Sequence, residues 1–405
     1  MKRIALVLVL FAVSWLLPMG GGVCASKTLE IGALFPLSGS LALLGEESFR
    51  GVELARLQRN KAGGVAGAQI VYVQGDVSTV EAARSEAERL IEQKNVHLMI
   101  GTYASSRCMA ASEVAARKGI PYFELGAVAN EITGRGYKTM WRTNPTALDL
   151  SRAQMDFIVG WLAPQLKKKP SDMKLSIAHE DSDYGTSVAA SCSRLAKEAG
   201  VQVVSVEPYA ANSSDLSPVI LRLREANPDI VVGVSYAQDA ILLSRQAHEL
   251  KLKAPIFGTG GGHSLRSFAE ALGPVAEGVF DSDFTQYAVN PDFCPGLLEF
   301  VSLYKEKYGE PPRSGHSLAN YVGALVVFDI LEKTGGNMDP DAIHKAAMSL
   351  DIPLGKTAAG WGVKFGENGQ NTRAPAFIMQ WRGGKLVTVW PKSAAVAEPE
   401  PAKAQ

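Results

Sequence analysis

The sequence predicts a doubly wound α/β protein built as two similar halves. Short β-branched runs alternate with amphipathic stretches, the pattern of βαβ units laid on a parallel sheet. The alternation runs twice, on either side of Trp141-Arg142-Thr143-Asn144-Pro145. A length of 405 residues also exceeds one comfortable core and favours two domains.

In the first series the expected strands are Leu29 to Phe35, Gln69 to Val73, Val96 to Gly101 and Ile120 to Leu125, each followed by a helical pattern. Val80, Ala83, Ala87, Leu90 and Ile91 fall on one helical face, with Glu81, Arg84, Glu88 and Arg89 on the other. The second series has strands at Leu175 to His179, Val201 to Val206, Ile230 to Ser235, Pro255 to Gly258 and Gly278 to Asp281. Its helices fall at Tyr184 to Ala199, Leu216 to Ala226, Asp239 to Lys251 and Leu265 to Leu272. Pro145 biases Asn144 to extended backbone, so the segment between the series reads as a connector. Helices follow at Gly296 to Tyr308, Ser317 to Glu332 and Pro340 to Leu350. Hairpin signals close the folded part: Val363 to Phe365 with Glu367-Asn368-Gly369, and Phe377 to Trp381 joined through Gly383-Gly384 to Leu386 to Trp390. Residues 392–405 are rich in Ala, Pro and Glu and read as a disordered tail.

Residues 1–25 have the order of an export peptide: Lys2 and Arg3, an apolar run from Ile4 to Leu17, then Gly20-Gly21-Gly22-Val23-Cys24-Ala25. The run falls short of the roughly 18 to 20 residues of a spanning helix. Cleavage is expected after Ala25 and location in the periplasm; lipid attachment at Cys24 is the lesser alternative, because Val23 is larger than the residue normally preceding a lipidated Cys.

Basic and acidic residues balance at 41 each, which offers no basic surface for nucleic acid. Past the export peptide Cys108, Cys192 and Cys294 form no disulfide framework, though one pair could bridge. The 6 histidines are scattered, without metal-ligand spacing, so neither metal nor cofactor is expected. Catalytic motifs fail in turn. Gly258-x-Gly260 lacks the third glycine of a dinucleotide loop, which falls at His263. Gly355-Lys356-Thr357 has Leu350 where a phosphate loop begins with glycine. Ser302-x-x-Lys305, Ser182-Asp183 and Lys333-Thr334-Gly335 stand in the wrong order for a penicillin-recognising enzyme. No catalytic residue is assigned.

What remains is a set of polar loops at the carboxyl ends of strands, where open α/β sheets bind ligands. Gly101-Thr102-Tyr103-Ala104-Ser105-Ser106 leaves one strand and opens a helix. Amides at that helix start, beside a serine hydroxyl, can hold a carboxylate; equally, Ser105 or Ser106 can cap the helix. Tyr103, Tyr122 and Phe123 can line an apolar pocket or pack.

The chain resembles the type I periplasmic solute-binding proteins of ABC importers, the leucine/isoleucine/valine-binding family. The resemblance rests on Ile31-Gly32-Ala33-Leu34-Phe35-Pro36-Leu37-Ser38-Gly39, Gly126-Ala127 with Glu131 to Tyr137, Trp141-Arg142-Thr143, Asp183-Tyr184-Gly185, Tyr236, Gly315 with Tyr321, and Gly362 to Phe365. It implies the type I periplasmic-binding-protein fold, two lobes joined by a three-segment hinge, with crossings near Thr143 to Thr146, Ser282 to Gln286 and Pro353 to Ala359. Lobe one would hold residues 27–144 plus 285–355, and lobe two 145–284 plus 356–391. It also implies capture of a branched-chain or hydrophobic amino acid, or a related small carboxylate or amide, for a membrane permease and its ATPase. The alternatives are an exported sensory module and a hydrolase on the same scaffold.

By resemblance Ser105, followed by Ser106, takes the ligand carboxylate. The backbone at Gly126 and Ala127 receives the amine, and Tyr184 and Tyr236 close over the ligand. Val128 stands where leucine-type binders have a threonine, and Gly260 where they have the glutamate that pairs with the ammonium group. A buried ammonium needs such a partner. Asp183, Asp239 or Glu124 could replace it, and His263 could meet a polar ligand. Leu44 and Val128, with room at the glycines 260–262, would suit a bulky aliphatic or aromatic carboxylate.

Overall fold

The computed structural model describes residues 27–401, so the expected export peptide lies outside the described residues. The first sheet joins β1 (Thr28–Phe35), β2 (Gln69–Asp76), β3 (Met99–Gly101), β4 (Tyr122–Glu124) and β5 (Met140–Arg142) in the order β2-β1-β3-β4-β5, every pair parallel. The second sheet is larger: β6 (Lys174–Glu180), β7 (Gln202–Tyr209), β8 (Ile230–Val234), β9 (Ile256–Thr259) and β10 (Phe280–Asp283) are parallel neighbours, and β11 (Phe377–Arg382) and β12 (Lys385–Trp390) extend it antiparallel. β3, β4, β5, β8, β9 and β10 are wholly buried, as central strands covered by helices on both faces are; β8 is Ile-Val-Val-Gly-Val, whereas β4, β5 and β10 carry buried charged residues.

The chain passes from the first sheet to the second between β5 and helix Ala147–Phe157, which packs on β10 and β11. That helix starts with a capping box: Thr146 Oγ1 accepts from the Asp149 amide at 3.0 Å, and Asp149 accepts from the Thr146 amide at 2.9 Å. After β10 the chain returns to the first sheet's side, where helix Gly315–Lys333 packs along helix Ala42–Lys61. Glu47, wholly buried, ties these parts together by accepting from Tyr304 Oη at 2.6 Å, Ser317 Oγ at 2.6 Å and the Arg313 amide at 2.9 Å. The chain then goes back to the second sheet through residues 351–376.

Three segments differ from expectation. Trp141 and Arg142, read as connector, form with Met140 the fifth strand of the first sheet, pairing with β4. Residues 392–401 of the expected disordered tail lie against the second sheet: the Val396 amide donates to Thr388 O at 3.0 Å, and Gln380 Nε2 to Glu400 O at 2.8 Å. Backbone hydrogen bonds to a sheet edge need no large side chains, which is why composition missed them. The Val363–Phe365 hairpin reduces to isolated bridges, Phe365 with Asn371 and Ile352 with Val363. Cys108, Cys192 and Cys294 are buried and unbridged. Among the described residues no helix is long and apolar enough to cross a membrane, and no group of His, Cys, Asp and Glu converges on a metal position.

Candidate ligand-binding cleft

The carboxyl ends of both sheets face a common cavity, where ligands sit in folds of this kind. From the first sheet come Tyr103 and Ser105 after β3, and Gly126 and Val128 after β4. From the second come Tyr184 after β6, Tyr236 after β8, Gly260 and Gly261 after β9, and Asp283 and Phe284 at the end of β10. Leu44, Leu150 and His316 complete the wall. No lysine or arginine lines it.

The first sheet's contribution is organised by Glu124, the last residue of β4. Its carboxylate is wholly buried and accepts from the amides of Thr102 (2.6 Å), Tyr103 (3.0 Å), Leu125 (3.1 Å), Gly126 (2.9 Å) and Ala127 (2.7 Å). Two loops that would otherwise bury unpaired amides are thereby fixed side by side. Tyr103 is held at φ 68, a left-handed conformation uncommon for a bulky residue, which these bonds make affordable. Helix Ser105–Arg117 then starts without a side-chain cap: its N-cap is Ala104. Ser105 Oγ instead accepts from the Ala129 amide at 3.2 Å, and the first amides of the helix have no intrahelical acceptor.

The second sheet brings the aromatic wall. Ser182 caps helix Asp183–Glu198, and Glu180 accepts from the amides of Ser182 (2.8 Å) and Gly185 (2.7 Å), which sets Tyr184 on the first turn. Tyr184 Oη donates to Thr259 O, and its ring lies 5.1 Å from that of Tyr236. Tyr236 meets Tyr103 across the cleft at 6.3 Å, and Tyr103 meets His316 edge-on at 5.5 Å. The two sides also touch through Asn130, whose amide donates to Ser187 Oγ at 2.9 Å, and through the Asp183 amide and Ser106 Oγ at 3.4 Å. The cavity left is about 20 Å³, room for about one water. This is a shut cleft, too small for anything larger than a water. A larger space of about 920 Å³ lies at the connector, lined by Arg142, Gln370 and Arg373 among others; it is an open trough without the aromatic wall, and the smaller cavity has the convergent geometry.

Of the residues singled out in the sequence, Leu44, Tyr103, Ser105, Gly126, Val128, Tyr184, Tyr236 and Gly260 line the cavity. Ser106 and Ala127 do not: Ser106 faces Asp183, and the Ala127 carbonyl accepts from Arg142 at 3.2 Å and Asn144 at 3.1 Å. Tyr122 and Phe123 are buried strand residues away from it. The room expected at the glycines is filled. A Cβ on Gly260 would lie 2.5 Å from Tyr184 Oη, and one on Gly261 would lie 2.7 Å from His316 Nε2. The three candidate replacements for the missing glutamate also fall away: Glu124 is committed to amides, Asp239 accepts from Tyr209 Oη at 3.0 Å, and Asp183 is exposed. His263 sits behind the wall, over the strands at Gly233 and Gly258.

Sequence reasoning missed Asp283 and His316. Asp283 Oδ2 accepts from Ser264 Oγ at 2.7 Å and Gln286 Nε2 at 3.4 Å, while Oδ1 has no partner among the described residues. Asp281, two positions earlier on the same face, has neither oxygen paired. Burial, then the neighbouring Asp283, hold Asp281 well above the usual carboxylate range, and burial pushes Asp283 up to about 6. At neutral pH the pair therefore carries its charge on Asp283. Burial lowers His316 to about 4, so that ring is neutral. A signal existed: two acids at i and i+2 on a strand otherwise built for burial are costly unless used.

A family model described as periplasmic binding protein matches residues 28–385. The Leu/Ile/Val-binding protein homolog 8 of Brucella abortus (strain 2308) is 51% identical over 376 residues, covering 92% of this chain and 93% of the relative. Among solved structures, the branched-chain amino acid transporter substrate-binding protein LivJ of Streptococcus pneumoniae, in complex with isoleucine, superposes with TM-score 0.76 at 23% identity, covering 92% of this chain and 100% of that one. An ABC transporter solute-binding protein of R. palustris in complex with benzoate gives TM-score 0.78 at 21% identity, covering 92% and 98%. The fold is thus the two-lobed type I architecture, and the chain belongs to the periplasmic binding proteins, which bind solutes and are not enzymes.

Proposed function

We propose that this protein captures a branched-chain or other hydrophobic amino acid, or a related small carboxylate or amide, outside the cytoplasm and delivers it to the permease of an ABC importer. The observation that carries the reading is the cavity shared by the carboxyl ends of two sheets, aromatic on one side and presenting Ser105 with free helix amides on the other. Ser105 and those amides receive the solute's carboxylate, and Tyr184 and Tyr236 cover its apolar part. A solute bridging both sides favours an arrangement in which the two walls enclose it over the fully open one, by its differential contacts, and that arrangement must stand wider than the 20 Å³ cavity. Isoleucine in one structural neighbour and benzoate in another are carboxylates of similar size, with and without an amine, and both belong to the range proposed here.

The test is a thermal-shift screen on protein purified from the periplasmic fraction. A solute specific to the folded state raises its melting temperature, by about 2.7 kcal/mol of stabilisation at a hundredfold excess over Kd. Amino acids, aliphatic and aromatic acids and amides form the screen; no shift with any of them overturns the reading, and recovery of the protein only from the cytoplasm overturns the location.

A further inference from the structure

We propose that the solute carries a cationic amine, held by Asp283, and is a small zwitterion rather than a simple carboxylate; the inference rests on the solute-binding reading above. The missing glutamate at position 260 argues against an amine only if nothing else on the wall supplies charge. Asp283 does so from another strand. It is 1% exposed, lines the cavity, and keeps Oδ1 unpaired while Ser264 and Gln286 orient the carboxylate through Oδ2. A buried anion with an empty acceptor is costly, and a cationic donor entering the cavity relieves that cost. No lysine or arginine on the wall competes for it, and the neutral His316 ring can only add an acceptor or a neutral donor.

The first sheet's side of the cavity has the opposite character. Ser105 and the uncapped amides of its helix suit a carboxylate, and Glu124 has already drawn the loop amides away from the solute. The wall therefore carries both characters, anion-accepting at Ser105 from the first sheet and cation-accepting at Asp283 from the second, with Tyr103, Tyr184 and Tyr236 on the same wall. A carboxylate without an amine would satisfy one end and leave Asp283 facing an anion.

Isothermal titration of the whole protein with matched pairs tests this: L-leucine with 4-methylpentanoate, L-phenylalanine with 3-phenylpropanoate, 4-aminobutanoate with butanoate, and benzoate alone. At least one amino member binds, with its amine-free partner about 100-fold weaker or undetectable, and Asp283→Asn weakens the amino member by about 30-fold or more. The inference is overturned if an amine-free acid binds as tightly as its partner, or if Asp283→Asn leaves affinity within about twofold. Binding of amine-free acids alone sinks this inference and leaves the receptor reading standing. Binding by no member sinks both. Should Asp283→Asn not fold, the matched pairs on the unaltered protein still test the amine requirement, and loss of affinity for the amino member between pH 7 and pH 5 tests Asp283.

Discussion

Two buried carboxylates at strand ends meet opposite fates. Glu124, at the end of β4, spends both oxygens on five amides of its own rim; Asp283, at the end of β10, spends one oxygen on two side chains and keeps the other. Glu180, at the end of β6, follows Glu124, accepting from Ser182 and Gly185. A satisfied carboxylate fixes loop shape, whereas an unsatisfied one stores a demand that a ligand can meet. The difference separates scaffold from recognition among groups of identical chemistry.

The largest effect is expected at the satisfied carboxylate. Glu124→Ala strands the amides of Thr102, Tyr103, Gly126 and Ala127, while that of Leu125 keeps Gly101 O; it should cost at least about 3 kcal/mol, seen as a melting temperature lower by roughly 3–4 °C or more for a chain of this size. Glu124→Gln keeps one acceptor oxygen and should lose less. If Glu124→Ala melted within a degree or so of the unaltered protein, the scaffold role would be wrong.

Next in size is Gly260→Glu, which installs the glutamate that the resemblance to leucine-type binders leads one to expect there. Gly260 has φ 78, and a Cβ there meets the Tyr184 hydroxyl at 2.5 Å, so the side chain both strains the backbone and displaces a ring from the wall. The expected cost is about 1–3 kcal/mol, with weaker rather than stronger binding of leucine. Tighter leucine binding in this variant would show that the acid belongs at 260 and that Asp283 is incidental.

Acidity sharpens the unsatisfied side. An amine pairs only with ionised Asp283, which burial raises to about 6, so affinity for an amino solute should fall about tenfold between pH 7 and pH 5. The groups facing Asp283 do not mimic this: Asp281 on its own strand stays protonated, Tyr184 and Tyr236 stay neutral, and His316, at about 4, charges only below that range. Stability of the free protein moves differently. A raised carboxyl value penalises the folded state above pH 6, and acidification from about 6 towards 4 relieves it; the histidines at 263 and 316, lowered to about 3 and 4, lose stability as pH falls below 6.5. These slopes oppose each other, so affinity rather than melting is the readout. A flat affinity from pH 7 to 5 would remove Asp283 from amine recognition.

The fold was largely legible because burial imposes period and caps. Helix Asp183–Glu198 lies one residue from its expected bounds, and Gly383-Gly384, at φ 54 and 73, turn β11 into β12 as the dipeptide requires. Helix Ala147–Phe157 was not legible because buried Ser151 and Gln154 interrupt its apolar face; Gln154 Nε2 reaches Thr259 Oγ1 at 3.1 Å, a partner 105 residues away. Met140–Arg142 is too short for a period and stands close to Pro145. In the cleft, residues in loops after strands could be found, since position predicts exposure to the ligand. For Asp283 the spacing with Asp281 on a buried strand was a signal that an acid there is used, but not for what, because which acid finds internal donors depends on neighbours brought in by the fold.

The smallest expected effect bears on the boundary between the two fates. Ser105 stands on the satisfied rim, yet its hydroxyl accepts only from the Ala129 amide, at 3.2 Å, and its proton remains available. Ser105→Ala should therefore cost the free protein about 1 kcal/mol or less, since one long hydrogen bond is lost, while weakening a carboxylate-bearing solute by about 5- to 10-fold. Calorimetric titration beside a melting curve separates the terms. Loss of stability without loss of affinity would make Ser105 one more scaffold residue like Glu124, leaving the helix amides alone to hold the carboxylate. Loss of affinity with the melt unchanged would make it the counterpart of Asp283 at the other pole of the cleft.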